Sequence, residues 1–341
     1  MIMKNEDVMD TEKKPWKIDV PVLLIFFNRP GCFSAVFEQV KIARPRKLFL
    51  YQDGVRKENK KDEIAVKKCR EIAENIDWDC EVHILFQEKN LGCDPSGYIA
   101  RKWAFEFVDR CIILEDDCVP TQSCFLYFKE LLDKYADDQR INMICGMNNL
   151  ETWESPYSYL FTETGSIWGV ATWKRVFDEW DAEYSLLSDS YNRQILENYM
   201  QSGNVDLRGR FRTWDADKAS GLVHHEALGG IVQYAGHRLN IVPTKNMIIN
   251  NGNSIEGGTH STNSNQTIPK GLRRIYTMNS YEIDFPLIHP PYVIDDVDYQ
   301  KQLFRVMGWG HPMITFGRKV EKAFLLLRYE GLSGLMKKIR K

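Results

Sequence analysis

A chain of 341 residues is too long for a minimal domain and too short for three, so one large or two intermediate domains are expected. Its 43% hydrophobic and 27% charged residues are ordinary for a globular protein with a sizeable core. A net charge of −2 sets up no global field toward nucleic acid, and no apolar run approaches the roughly 18 residues of a membrane span.

Residues 1–18 are charged, lack the apolar stretch of a signal peptide, and read as a flexible leader. Val20 to Phe27 (VPVLLIFF) is a continuous apolar run, suited to a strand covered on both faces. Asn28-Arg29-Pro30-Gly31 ends it with turn chemistry, and a helix follows from Phe33 to Ile42. Lys47 to Tyr51 reads as a strand running into Gln52-Asp53-Gly54. Asp62 to Ile76 reads as an amphipathic helix and Glu81 to Phe86 as a third strand. After the loop at Asn90-Leu91-Gly92, Ser96 is placed to cap a helix reaching Asp109, with Ile99, Trp103 and Phe107 along one side. Cys111 to Leu114 is a fourth apolar strand. Phe125, Phe128, Leu132 and Tyr135 mark a helix, and Ile141 to Cys145 another strand.

Strand and helix thus alternate through residue 150, which predicts an α/β fold with a mostly parallel sheet and right-handed crossovers. Ligands of such sheets bind beyond the carboxyl ends of the strands, where this chain places Arg29, Asp53 and Glu115 to Asp117. The second half is richer in Trp, Tyr, Gly and Asn, with a polar loop over residues 250–271. We expect residues 19–150 to form a nucleotide-binding half, residues 151–275 an acceptor-binding half of the same domain, and residues 276–341 a C-terminal extension. From Gly317 to Lys341 there are eight Lys or Arg against two Glu; this reads as a basic amphipathic helix interrupted near Gly331 and Gly334, either a solvated end or a contact with anionic membrane. The eight cysteines show neither CxxC pairs nor zinc spacing, which suits the reduced thiols of a cytoplasmic protein.

The strongest chemical signal is ILEDDCVP, residues 113–120: three carboxylates close an apolar strand. Strand alternation would send Glu115 and Asp117 to one side and Asp116 to the other. Clustered carboxylates repel unless compensated, and a hard divalent ion bridging them to substrate phosphates would compensate them. The bland reading is a solvated acidic turn.

The ordered set PVLLIFFNRP, YQDG, ILEDDCVP with FLYF, CGMNN, GSIWGVATW and TWDAD, spanning residues 21 to 217, resembles the GT-A glycosyltransferases, in particular the N-acetylglucosaminyltransferase I group. NNG followed by GTHSTN looks more like bacterial relatives acting on surface polysaccharides. The resemblance implies a Rossmann-like GT-A fold with a smaller acceptor-side region and a role in polysaccharide biosynthesis. The donor would be a UDP-sugar, the cofactor Mn²⁺ or Mg²⁺, and the acceptor an oligosaccharide or lipid-linked glycan. By position, Asp117 matches the metal ligand, Asp116 a ribose contact, Glu115 a residue near the donor sugar, Asp53 the carboxylate accepting the uracil N3–H, and Arg29 a basic residue at the nucleotide. Asp215 in TWDAD matches the catalytic base, with Asp217 the fallback because Ala216 separates two acids that are adjacent in the family. The family's nucleotide histidine has no clear counterpart around Gly92.

Each assignment has a plain structural counterpart. Asp53 before Gly54 and Arg29 before Pro30 are turn residues as well, and Asp215 would cap a helix. Gly165 and Trp168, in GSIWGVAT, would admit a sugar against an indole face or make a tight core turn. His260 would reach the metal from its loop or sit exposed, and His224-His225 read as structural. One base opposite a departing diphosphate implies inversion. Two rivals stand: a nucleotidyltransferase that makes the activated sugar, against which FNRPGCF is a poor phosphate loop, and a catalytically silent binding subunit.

Overall fold

In the computed structural model, which describes residues 13–202, 208–252 and 265–339, the first apolar run forms β1 (Val22–Phe26). Strands β2 (Lys47–Gln52), β3 (Glu81–Phe86) and β4 (Arg110–Glu115) join it in parallel. Helices α1 (Pro30–Ala43), α2 (Lys60–Ala73) and α3 (Cys93–Ala104) connect them. There follow β5 (Cys118–Pro120), α4 (Gln122–Lys134), β6 (Ile141–Cys145), β7 (Tyr159–Thr162), β8 (Val170–Trp173), α5 (Lys174–Phe177), α6 (Ser185–Ser188), α7 (Ser190–Ser202), α8 (Arg208–Ala219), α9 (His225–Ala235), β9 (Leu239–Pro243), β10 (Ile248–Asn250), α10 (Lys270–Arg273), α11 (Val297–Met307) and α12 (Pro312–Ile339).

Eight strands form one sheet in the order β3-β2-β1-β4-β8-β6-β9-β7. Only β8 and β7 run against the rest, so the sheet is mostly parallel and the fold is the α/β, Rossmann-like class expected from the alternation. Continuous apolar runs arise because both faces are covered. Val22, Leu24, Leu48, Leu50, Ile112 and Leu114 pack with α1 and α4, whereas Leu23, Phe49, Tyr51 and Ile113 pack with Ala100 and Ala104 of α3. β8 lies between β4 and β6, so strands from beyond residue 150 complete the sheet begun before it. β5 and β10 pair separately as an antiparallel ribbon.

Three expectations change. Residues 13–18, assigned to the leader, are fixed by bridges from Lys14 to Trp78 and from Ile18 to Pro45; residues 1–12 lie outside the described residues. Helix α3 begins at Cys93, so Ser96 is not its cap but a buried residue of its first turns. The buried face of α3 is Ser96, Gly97, Ala100, Arg101 and Ala104, while the apolar stripe is half-buried at Ile99 and Trp103 and exposed at Phe107. Small side chains win this face because the helix lies against α9: a Cβ at Gly97 would meet the His225 ring at 2.5 Å.

The C-terminal basic segment is helical from Pro312, with non-helical geometry at Gly331 (φ 69°); residues 340–341 lie outside the described residues. Met313, Phe316, Val320, Phe324 and Leu327 are exposed along one side of α12, while Leu326 is buried. Among the described residues no helix is long and apolar enough to cross a membrane. The eight cysteines form no disulfide.

Candidate active site

The carboxyl ends of β2, β1 and β4 are neighbours, and this brings the expected polar residues together. β4 ends at Glu115, and Asp116-Asp117 make the turn into β5. Strand alternation stops there, and Asp116 and Asp117 share one arginine. Arg29, the residue before α1, donates from Nη1 to Asp117 Oδ2 at 2.8 Å and from Nη2 to Asp116 Oδ1. Asp116 also accepts from the Phe27 N–H at 3.2 Å. The guanidinium fork expected to meet phosphate thus spans two carboxylates. Burial works against the Arg29 charge, but Asp116 and Asp117 outweigh it and raise the pKa.

One arginine does not balance three acids. Burial, with repulsion from Asp117, pushes Glu115 up to about 8, and burial also raises Asp116. Glu115, Asp117 and Cys118 bring one ligand atom each to within 4.8 Å of one another. Burial raises the Cys118 thiol above its usual value, and its soft sulfur is a poor match for a hard cation. The remaining pair of carboxylates fits a hard, oxygen-seeking divalent ion such as Mn²⁺ or Mg²⁺. His260, expected as a further metal contact, lies outside the described residues.

The β5–β10 ribbon sets Asn250-Asn251-Gly252 against this turn. The Asn251 N–H donates to the Asp117 carbonyl at 3.0 Å. A Cβ at Gly252 would lie 2.4 Å from Asp117 Oδ2 and 2.8 Å from Arg29 Nη1, so only glycine leaves both groups in place.

Asp53, which follows β2, is 5% exposed. Its Oδ1 accepts from the N–H groups of Gly54 and Leu91, both at 2.8 Å, and its Oδ2 from Asn90 Nδ2 at 2.7 Å and the Gly92 N–H at 3.0 Å. Burial raises its pKa against these donors. Asp53 therefore organises the 90–92 loop in this conformation, and a uracil N3–H reaches it only by replacing a donor. The Asn90 amide, on a side chain, is the one free to move aside. Arg29, Asp53, Arg56, Glu115 and Asp116 line one cleft of about 100 Å³. A nucleotide needs more room, of the order of ~300 Å³ or above, so it occupies this cleft only with adjoining space.

A larger cavity, about 630 Å³, is lined by Gly165 and Trp168 from the GSIWGVAT segment, with Trp180, Tyr234, Arg101 and His225. His225 also lines the small cleft and so forms part of the wall between the two. Gly165 packs closely, since a Cβ there would meet Cys145 Sγ at 2.8 Å.

Helix α8 separates the two candidate bases. Trp214 is buried against Phe211, Tyr234 and Gly230 and anchors the helix. Asp215 is inside α8 and does not cap it. Its carboxylate takes both ends of the Arg193 guanidinium, at 2.6 and 2.7 Å, and that hydrogen bonding holds its pKa below the usual range. Asp217 faces the opposite way. His224 Nδ1 lies 3.7 Å from Asp217 Oδ1 and 3.4 Å from Asp94 Oδ2, and burial raises the Asp217 pKa. A carboxylate tied to arginine is a weak base, so this geometry favours Asp217 over Asp215.

Sequence reasoning did not single out Arg101, Asp94 or Gly252, and read His225 as structural. NNG carried a turn signal for Gly252. Arg101 gave none, because an arginine opposite an apolar stripe reads as solvent-facing.

No family model matches the chain, and no curated protein matches it. Among solved structures the chain is similar to a UDP-glucose pyrophosphorylase in complex with UDP-glucose, at 13% identity and a TM-score of 0.24, over 42% of this chain and 62% of that one. It is also similar to 4-diphosphocytidyl-2C-methyl-D-erythritol synthase from Anaerococcus prevotii, at 10% identity and a TM-score of 0.29, over 53% of this chain and 84% of that one. The chain spans less than two thirds of the first of these, and at such TM-scores neither likeness carries a functional argument.

Proposed function

We propose that the protein is a metal-dependent GT-A-type glycosyltransferase that moves a sugar, with inversion, from a UDP-sugar to a glycan acceptor. The observation that carries this reading is the cleft shared by Arg29, Asp53, Glu115 and Asp116 at the carboxyl ends of three adjacent strands, with Asp117 held beside it by Arg29 and within ligand distance of Glu115. Asp117 and Glu115 would hold Mn²⁺ or Mg²⁺, which supplies Lewis-acid neutralisation of the diphosphate when bound. Arg29, turned from its carboxylates, would add a charged fork to the same phosphates. Asp217 would take the proton of the acceptor hydroxyl as its oxygen bonds to the anomeric carbon and the bond to the diphosphate breaks. The aromatic cavity beyond His225 offers the room a sugar ring requires.

Nucleotidyl transfer is the competing reading. Against it, Phe27 to Phe33 after β1 holds one basic residue, Arg29, and one glycine, Gly31, a poor phosphate loop. With Mn²⁺ and a panel of UDP-sugars, the proposal expects UDP release stimulated by a glycan acceptor. Pyrophosphate release from UTP and a sugar 1-phosphate would establish the rival, and no turnover or binding of either donor would leave a silent binding subunit.

The exposed stripe of α12, flanked by Lys319 and Arg328, supports peripheral contact with anionic membrane, where a lipid-linked acceptor would be met. Phe316→Glu with Phe324→Glu is expected to abolish cosedimentation with phosphatidylglycerol vesicles; unchanged cosedimentation would contradict the contact.

A further inference from the structure

Arg101 and His225 are buried polar groups that the transfer step leaves unused. Arg101, on α3, is 4% exposed. Its one hydrogen bond among the described residues runs from Nη1 to the Gly97 carbonyl at 2.8 Å, and its guanidinium lies 6.0 Å from the Trp180 ring centroid. Glu115 and Glu226 act on it electrostatically, but it makes no ion pair among the described residues. Because a guanidinium does not give up its proton in a protein, this is a buried cation lacking a paired counter-ion.

His225, at the start of α9, is 3% exposed, and neither ring nitrogen has a hydrogen-bond partner of good geometry. Its polar neighbour Asp94 stands 3.7 Å from Nδ1. Burial and the nearby Arg101 keep the ring neutral, its pKa pushed down to about 3. The two side chains meet across Gly97, whose carbonyl holds Arg101 and whose missing Cβ admits the imidazole. Both face the 630 Å³ cavity, with Trp168, Trp180, Tyr234 and Tyr276 on its walls. Arg210 and Lys322 line it as well, against Glu163 and Glu226, so the cations are in excess.

We propose that Arg101 and His225 form a buried oxyanion-binding site in this cavity, for the carboxylate or phosphate of a charged sugar whose ring packs on the aromatic wall. An oxyanion supplies the paired counter-charge Arg101 lacks and accepts the N–H of neutral His225, two needs that no ion pair or hydrogen bond among the described residues meets. The site deepens the transferase reading by naming an anionic sugar as substrate class; only the sugar's role in transfer rests on that reading. The same chemistry is offered by the diphosphate of the donor, which the test separates.

Ligand-observed NMR titrations and thermal melts of the full chain would compare glucuronate and glucose 1-phosphate with uncharged glucose, and UDP with Mn²⁺. Wild type is expected to bind both charged sugars in preference to glucose. Arg101→Met is expected to weaken that binding at least about tenfold, with UDP–Mn²⁺ binding unchanged, because a charged hydrogen-bonded contact is lost. If UDP–Mn²⁺ binding alone falls, the site stands with the donor diphosphate as its anion. Because Arg101 has only the Gly97 carbonyl bond to set against the burial of its charge, and the His225 nitrogens have no partner, Arg101→Met and His225→Phe should melt no lower than wild type in anion-free buffer. Equal binding of all probes by wild type and Arg101→Met, or a lowered Tm in both variants with no anion preference in wild type, would overturn the site. Asp117→Ala, expected to lose UDP–Mn²⁺ and keep glucuronate, separates this outcome from failure of the transferase reading.

Discussion

Asp117→Ala is expected to abolish Mn²⁺-dependent binding of UDP and to cut sugar transfer by on the order of a thousandfold, the scale of losing a central electrostatic contact to the leaving group. Asp117 is 8% exposed, and its carboxylate is fixed by Arg29, by the turn into β5 and by the close approach of Gly252. Stability should move little. The variant removes one of three crowded acids, which relieves the repulsion that adds to burial in raising the Glu115 pKa, and Arg29 retains Asp116. Titration calorimetry and a thermal melt read the two effects separately. Full Mn²⁺-dependent UDP affinity in the variant would remove Asp117 from the metal site.

Asp217→Asn should lower kcat by roughly a hundredfold to ten-thousandfold while leaving donor affinity unchanged, as loss of a general base requires. Asp215→Asn should do the opposite. It breaks the Arg193 pair, whose carboxylate side is 42% exposed, so the loss is at most about 1 kcal/mol of stability, with turnover near wild type. The direction of the two pKa shifts makes the same distinction. The acid limb of the pH–rate profile should lie above the usual carboxylate value, because burial raises Asp217 and the base must lose its proton to act; Arg193 lowers Asp215. Steady-state kinetics of the two variants decide it, and a large kcat loss confined to Asp215→Asn would return the role to that residue.

Strands β1, β2 and β4 were legible because each is a short apolar run closed by turn chemistry, and burial on both sheet faces is what makes such runs continuous; β3, at the sheet edge, is exposed or half-buried. The acidic turn and Asp53 were legible as neighbours for the same reason, since parallel strands adjacent in the sheet deliver their carboxyl ends to one edge. Strands β7 and β8 were not. Each has four residues, all buried, so no alternation marks them. The face of α3 was misread because Gly97 and Ala100 pack by closeness rather than by apolar bulk, and that closeness depends on α9, more than a hundred residues away in the chain. The spacing in TWDAD put two acids on one helix, but their separate roles depend on Arg193 and His224, contributed by other elements.

The most direct measurement is anomalous diffraction at the manganese edge from crystals holding UDP and Mn²⁺. The account predicts one manganese peak in contact with an Asp117 carboxylate oxygen and with the diphosphate, beside Glu115. UDP bound with no metal at residues 115–117, or bound away from the cleft shared by Arg29 and Asp53, would contradict it.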